Sequence, residues 1–122
     1  MKTSPVRSAP SRRSVCAIAC SLDLVGDKWS LLVVRDLMHG KSTFKELAES
    51  PERIPTNLLA DRLKRLQNAG VIEASRYQVR PPRYAYALSD KGRELGAILH
   101  AFVQWGKKHI PGTRVMTHGT KG

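Results

Sequence analysis

TNLLADRLKRLQNAG, residues 56–70, is the stretch on which the fold turns. Leu59, Leu63 and Leu66 recur at spacings of four and three, the signature of a helix with one apolar seam. The spacing predicts a helix over 56–69, stopped by Gly70. With the leucines turned inward, Asn57, Asp61, Lys64 and Asn68 fall on the opposite face, and Ala60 and Arg65 flank it. Upstream, Pro51 and Pro55 bracket a turn. Before that turn, Thr43-Phe44-Lys45-Glu46 has the form of a capping box, opening a short helix that carries Phe44, Leu47 and Ala48. Downstream of Gly70 the apolar period changes to two. Val71 to Tyr77 reads as a strand, Gln78 to Arg83 as a turn stiffened by Pro81 and Pro82, and Tyr84 to Leu88 as a second strand.

Further out, helices flank this unit on both sides. Ile18, Leu22 and Val25 mark a first helix over 15–25, interrupted by Gly26-Asp27. Asp27 can cap a second helix from Lys28 to about Met38, with Trp29, Leu32, Val33 and Leu37 as its expected buried face and Gly40 beyond its end. Ser89 can cap a last helix, with Asp90 at its positive end. Leu95, Ile98, Leu99, Phe102 and Trp105 form its wide apolar stripe, and Pro111-Gly112 ends it. Helix, helix, short helix, turn, helix, hairpin, helix is the order of a winged helix-turn-helix, a mainly α fold with a small β-hairpin. The domain is expected over 15–110. Residues 1–14, with Pro5, Pro10 and four cations, read as a disordered basic tail, and 111–122 as a flexible one.

The bulk composition narrows the function. A chain of 122 residues suits one domain with one modest core. It contains no apolar run long enough to span a membrane and no stretch resembling a signal peptide, so the expected location is the cytoplasm, with no membrane partner. Lys and Arg number 21 against 10 Asp and Glu, a net charge of +11 that attracts polyanions, although basic side chains are often simply solvated. His39, His100, His109 and His118 show no ligand spacing with the two cysteines, so no metal is expected. Phosphate loops, metal-binding helix pairs and nucleophile elbows are all missing from the sequence, which argues against an enzyme and against a cofactor. Few aromatic residues are available to stack on the bases of RNA.

Charge concentrates where a duplex would lie. From Arg53 to Arg83 the cations are Arg53, Arg62, Lys64, Arg65, Arg76, Arg80 and Arg83, against the anions Asp61 and Glu73. A module that only binds proteins need not keep such an excess. A helix in the major groove needs short polar groups near its start and cations along its flanks. Thr56 and Asn57 sit at that start, and Asn57 can read adenine through two hydrogen bonds. Ala60 is small enough for close approach or for a thymine methyl, and Lys64 and Arg65 can reach guanine or phosphate. Asp61 can accept from a cytosine amino group or pair with Arg65. Arg62 lies near enough to the core edge to pair with a carboxylate. Arg80 and Arg83 flank the Pro-Pro turn, which suits a probe of the backbone or the minor groove.

At Cys16, Gly26-Asp27-Lys28-Trp29, Phe44-Lys45-Glu46-Leu47 and Arg80-Pro81-Pro82-Arg83-Tyr84-Ala85-Tyr86-Ala87-Leu88, the chain resembles the HxlR-type family of bacterial winged helix-turn-helix transcriptional regulators. The likeness runs from about Cys16 to His109. It implies a homodimer on a palindromic double-stranded DNA operator, joined through the first and last helices. Ile18, Leu22, Leu99, Phe102 and Trp105 are the interface candidates it points to, against the alternative that the last three only close the protomer core. Pro55 stands where the family often has a serine cap, so Thr56 is expected to take over as cap; Ala60 stands where a hydroxyl residue is common. Some members of the family use a cysteine at the position of Cys16 to sense oxidants or electrophiles, which makes an oxidant or a small molecule the effector to expect. Arg12 and Arg13 precede Cys16, and Cys20 follows one turn later. The competing reading is two small side chains buried between helices.

Overall fold

The computed structural model describes residues 13–115. The parts of the expected tails at 1–12 and 116–122 lie outside the described residues. Six helices and one hairpin are present among the described residues: α1 (Ala17–Val25), α2 (Ser30–Met38), α3 (Phe44–Ala48), α4 (Thr56–Asn68), β1 (Ile72–Gln78), β2 (Arg83–Leu88), α5 (Asp90–Arg93) and α6 (Gly96–His109). Four helices, a hairpin and two further helices follow the order of a winged helix-turn-helix. None of these helices is long and apolar enough to cross a membrane.

The core forms where α2, α3 and α4 meet the root of the hairpin. Val34 and Leu59 are fully buried, and Leu47, Leu63 and Leu66 nearly so. Val71, Ile72 and Leu88 close the core from the hairpin side. All three leucines of the α4 seam therefore face inward, as their spacing requires. The buried face of α2 is rotated from its expected position. Val33, Val34 and Leu37 are buried together with Ser30 and Asp36, whereas Trp29 and Leu32 are only half-buried. Residues 30, 33, 34, 36 and 37 form the buried side of the helix, and it includes the Asp36 carboxylate because that carboxylate is paired. Arg35 donates to Asp36 (3.1 and 2.9 Å) and to Glu52 (2.8 and 2.7 Å), and the Ser50 hydroxyl donates to the other oxygen of Asp36. A buried charge survives only with such partners. These bonds fix the 49–55 turn onto α2, and within that turn Arg53 takes a left-handed backbone with φ 57°.

Helix ends follow their chemistry closely. Asp27 accepts from the Trp29 and Ser30 N–H groups at 3.0 and 3.1 Å, capping the turn into α2. Thr43 accepts from the Glu46 N–H at 3.1 Å while the Glu46 carboxylate accepts from the Ser42 and Thr43 N–H groups, a complete capping box. Those two backbone donors, Ser42 first, hold the Glu46 carboxyl below its ordinary range. Thr56 does not cap α4: Pro55 occupies the cap position, without a side-chain hydrogen bond, and Thr56 is the first helical residue. Proline's fixed φ suits the entry to a helix and leaves no hydroxyl to cap it. The last helix is not continuous either. Ser89 caps α5, the hydrogen bonding tightens to the third residue back at Leu95, and α6 then begins at Gly96.

The hairpin is antiparallel, pairing Ile72 with Leu88 and Arg76 with Tyr84, and Tyr77 bulges out before Gln78 pairs with Arg83. A third piece of backbone joins its outer edge. Thr43 bridges to Ala85, and the Tyr86 N–H donates to the Ser42 carbonyl at 2.7 Å. The segment leading into α3 is thus stitched to the second strand of the hairpin.

Arg62 leaves the exposed face of α4 to donate to Asp27 at 2.8 Å, tying that helix to the start of α2. Burial alone would raise the Asp27 carboxyl; the Ser30 hydroxyl, Arg62 and two backbone N–H groups outweigh it and hold the group well below the usual carboxylate range. A depressed native pKa adds stability above the unfolded value, about 3.9, that is lost as pH falls below it. Asp27→Asn is therefore expected to be less stable than the parent at pH 7, with the gap closing progressively below about pH 4. Urea midpoints measured across the acid range check this, and a gap independent of pH would contradict it. Leu63→Ala is expected to cost about 2–5 kcal/mol in the same assay, because the seam is too tightly packed to collapse around the void.

Candidate nucleic-acid interface

Because the leucine seam is buried, the far side of α4 is open. Asn57, Ala60, Asp61, Lys64, Arg65 and Asn68 are all exposed, as is Thr56. Asp61 pairs with Arg62 and not with Arg65. Arg62 is the adjacent residue and is already held over that edge by Asp27, so it reaches the carboxylate first. This leaves Lys64 and Arg65 without a salt bridge among the described residues.

The hairpin carries the second group of cations. Arg80 and Arg83 are exposed and likewise form no salt bridge among the described residues. The turn between them is braced from within: the Gln78 amide donates to the carbonyls of Arg80 and Pro81 at 3.2 and 3.1 Å. The Arg80–Pro81 peptide bond is cis. Arg76 lies over the ring of its cross-strand partner Tyr84, 6.0 Å from the centroid. Arg83 faces α3 across a groove of about 380 Å³ whose opposite wall includes Lys45, with Tyr77 and Tyr84 between them.

Lys45 and Gln78 escaped the sequence reading. Lys45 lies on a short helix that the pattern assigned to the core through Phe44 and Leu47. The bridge from Thr43 to Ala85 and the Tyr86–Ser42 bond bring it beside the hairpin. Gln78 acts through a local contact that no periodicity marks.

The interface candidates divide. Ile18 (71% exposed), Leu22 (54%), Phe102 (59%) and Trp105 (59%) stand in the open, joined by Val15, Leu24 and Ile98. Leu99 does not belong with them. It is half-buried and packs on the protomer's own core, because it lies on the side of α6 that faces α2. Ile98, Phe102 and Trp105 make an almost wholly apolar surface with Ala101.

Cys16 is exposed at the N-cap of α1, its N–H donating to the Ser14 hydroxyl at 3.0 Å. Cys20 is partly buried and donates its thiol to the Ser14 carbonyl at 3.2 Å. The pair is therefore not two buried space-fillers within the protomer. Arg13 turns away to Asp23 at 2.8 Å instead of serving the Cys16 sulfur, since a carboxylate is the stronger partner. Arg12 lies outside the described residues. Among the described residues no group of three His, Cys, Asp or Glu side chains is placed to hold a metal ion.

Comparison with known proteins agrees with this geometry. The chain is 34% identical to the HTH-type transcriptional regulator Mb3122 of Mycobacterium bovis over 78% of its own length, and the match spans 60% of that relative. It is 34% identical to the HTH-type transcriptional regulator YtcD of Bacillus subtilis, over 77% of this chain and 75% of the other. A crystal structure of ytcD superposes with a TM-score of 0.73 at 33% identity, covering 79% of this chain and 98% of that one. The transcriptional regulator YodB from B. subtilis, in its reduced form, superposes with a TM-score of 0.67 at 28% identity, covering 82% of this chain and 99% of that one.

 A second structure of YodB was obtained after treatment with diamide. The profile of the HxlR-like helix-turn-helix family matches residues 24–114, which takes in every element from α2 to α6. The chain belongs to the HxlR-like helix-turn-helix family.

Proposed function

We propose that the protein is a transcriptional regulator that binds a palindromic DNA operator as a homodimer. The observation that carries this reading is the open polar face of α4, opposite a fully buried leucine seam, on a chain of a helix-turn-helix family. In this reading α4 lies in the major groove. Thr56 and Asn57 approach the bases from its first turn, Ala60 permits close contact, and Lys64 and Arg65 bind guanine or phosphate. Asp61, held by Arg62, limits the fit at its own position. Arg80 and Arg83 follow the backbone beside the groove, with Lys45 as a further phosphate contact from α3. Two protomers join through the exposed apolar residues of α1 and α6, with Ile18, Leu22, Phe102 and Trp105 at the contact. Such a patch is unusual on a monomer. Two-fold symmetry then sets the recognition helices about 34 Å apart, in successive major grooves.

Oxidation at Cys16 is the proposed control. The sulfur is exposed at a helix start, and a structural relative has been prepared in reduced and diamide-treated forms. Two thiols, one from each protomer, would join as a disulfide, their two hydrogens passing to diamide as it is reduced to the hydrazine. A bridge between subunits avoids the distortion that closing a ring onto Cys20 would impose on α1.

Lys64→Ala and Arg80→Ala are expected to weaken binding to every duplex alike, whereas Asn57→Ala removes discrimination between cognate and random DNA, a loss of about 1–3 kcal/mol at one base pair. Fluorescence anisotropy at several salt concentrations reads both effects. A dimer making about eight phosphate contacts should weaken steeply between about 50 and 200 mM salt. Equal losses on cognate and random DNA for Asn57→Ala would remove its assigned role. In gel-shift titrations, diamide is expected to change operator affinity for the parent and not for Cys16→Ser; identical titrations in all four conditions would eliminate the control.

A further inference from the structure

α6 has a second face. Gly96, Leu99, His100 and Val103 lie on the side turned toward α2, away from Ile98, Phe102 and Trp105. Between this side and α2 is an open cavity of about 360 Å³. Small-molecule sites typically span about 300–1,000 Å³, so the space suits a compact ligand.

Three features shape it. Gly96 lets the helices approach closely: a Cβ there would come within 3.0 Å of the Met38 methyl. Met38, a flexible thioether, forms the adaptable end of the apolar floor with Leu99 and Val103. The chain after α6 supplies the remaining wall. Gly112 adopts φ 84° and the Thr113 hydroxyl donates to the carbonyls of Gly106 and Ile110 at 3.0 and 2.8 Å. This turn brings Arg114 and Val115 back over the cavity.

The polar part of the lining is one-sided. Among the described residues Arg114, His100 and His39 border the cavity, and no carboxylate does. Arg35 reaches it too, but its guanidinium is engaged by Asp36 and Glu52. Among the described residues Arg114 and His100 enter no salt bridge. An aliphatic floor under a free guanidinium and an imidazole is complementary to an anion carried on an apolar body.

We propose that this cavity between α2 and α6 binds a small organic acid, its carboxylate held by Arg114 and His100 and its apolar body seated on Met38, Leu99 and Val103. The site goes beyond the DNA-binding reading and stands on its own observations. The test uses the full chain without DNA, so its failure leaves that reading untouched. Fluorine NMR of 4-fluorobenzoate, titrated with protein, is expected to show saturable line broadening with a Kd near or below about 1 mM. The uncharged isostere 4-fluorobenzamide is expected to bind about tenfold more weakly. Arg114→Gln, on the surface and harmless to the core, should weaken the acid about fivefold or more and leave the amide unchanged. Val103→Trp should fill the space and abolish binding, whereas Phe102→Ala, on the opposite face, should preserve it. Absence of saturable binding, equal binding of acid and amide, or an unaffected Arg114→Gln would each overturn the proposal. If Val103→Trp fails to fold, the Arg114→Gln comparison alone decides.

Discussion

Leu59, Leu63 and Leu66 set the rotation of α4 about its own axis, and the rest of the molecule is arranged around that rotation. With three side chains locked in a close-packed interior, a turn of the helix by even one residue would place a charged or amide group in the core. The cost of burying such a group without partners is several kcal/mol, comparable to the stability of a small domain. The outward face of α4 is therefore defined by what the inward face cannot give up. Each exposed side chain on it owes its direction to apolar packing several ångströms away.

Polar stitching then fixes the neighbours. Asp27 and Arg62 join α4 to the entry of α2, and Arg35, Asp36, Glu52 and Ser50 hold the intervening turn. These pairs differ in weight. The Arg13–Asp23 and Arg93–Asp90 pairs at the surface contribute little, since exposed ion pairs are typically worth about 0–1 kcal/mol.

 The Asp36 cluster matters more, because its carboxylate is 2% exposed and would be left uncompensated if a partner were removed. The bond from the Tyr86 N–H to the Ser42 carbonyl extends the same framework to the hairpin, so the segment leading into α3 pairs with the second strand.

Much of this was legible in the residues. The leucine spacing, the capping box at Thr43 and Glu46, the change of period after Gly70 and the cap at Ser89 all report local chemistry, and the structure bears each of them out. What escaped depends on contacts distant in sequence. The buried stripe of α2 includes Asp36 instead of Leu32, because Arg35 and Ser50 satisfy the carboxylate and no pattern within the helix announces them. Leu99 looked like its exposed neighbours until α2 supplied it with a partner surface. Thr56 has the chemistry of a cap but follows Pro55 by one position, so it enters the helix itself. At the candidate interface, the exposed row on α4 followed from the seam, whereas Lys45 beside the hairpin required the Ser42–Thr43 edge to be seen.

Gly92 has a mechanical consequence. A single added methyl group there would sit 2.1 Å from the Val71 carbonyl oxygen, so the backbone of α5 rests directly on the root of the hairpin. The Ser89 hydroxyl and the Arg93 guanidinium bind main-chain oxygens of that same root. Gly92 itself puts no side chain into that contact. The hairpin and the start of the C-terminal arm therefore move as one lever, and any assembly gripping α6 takes hold of its handle.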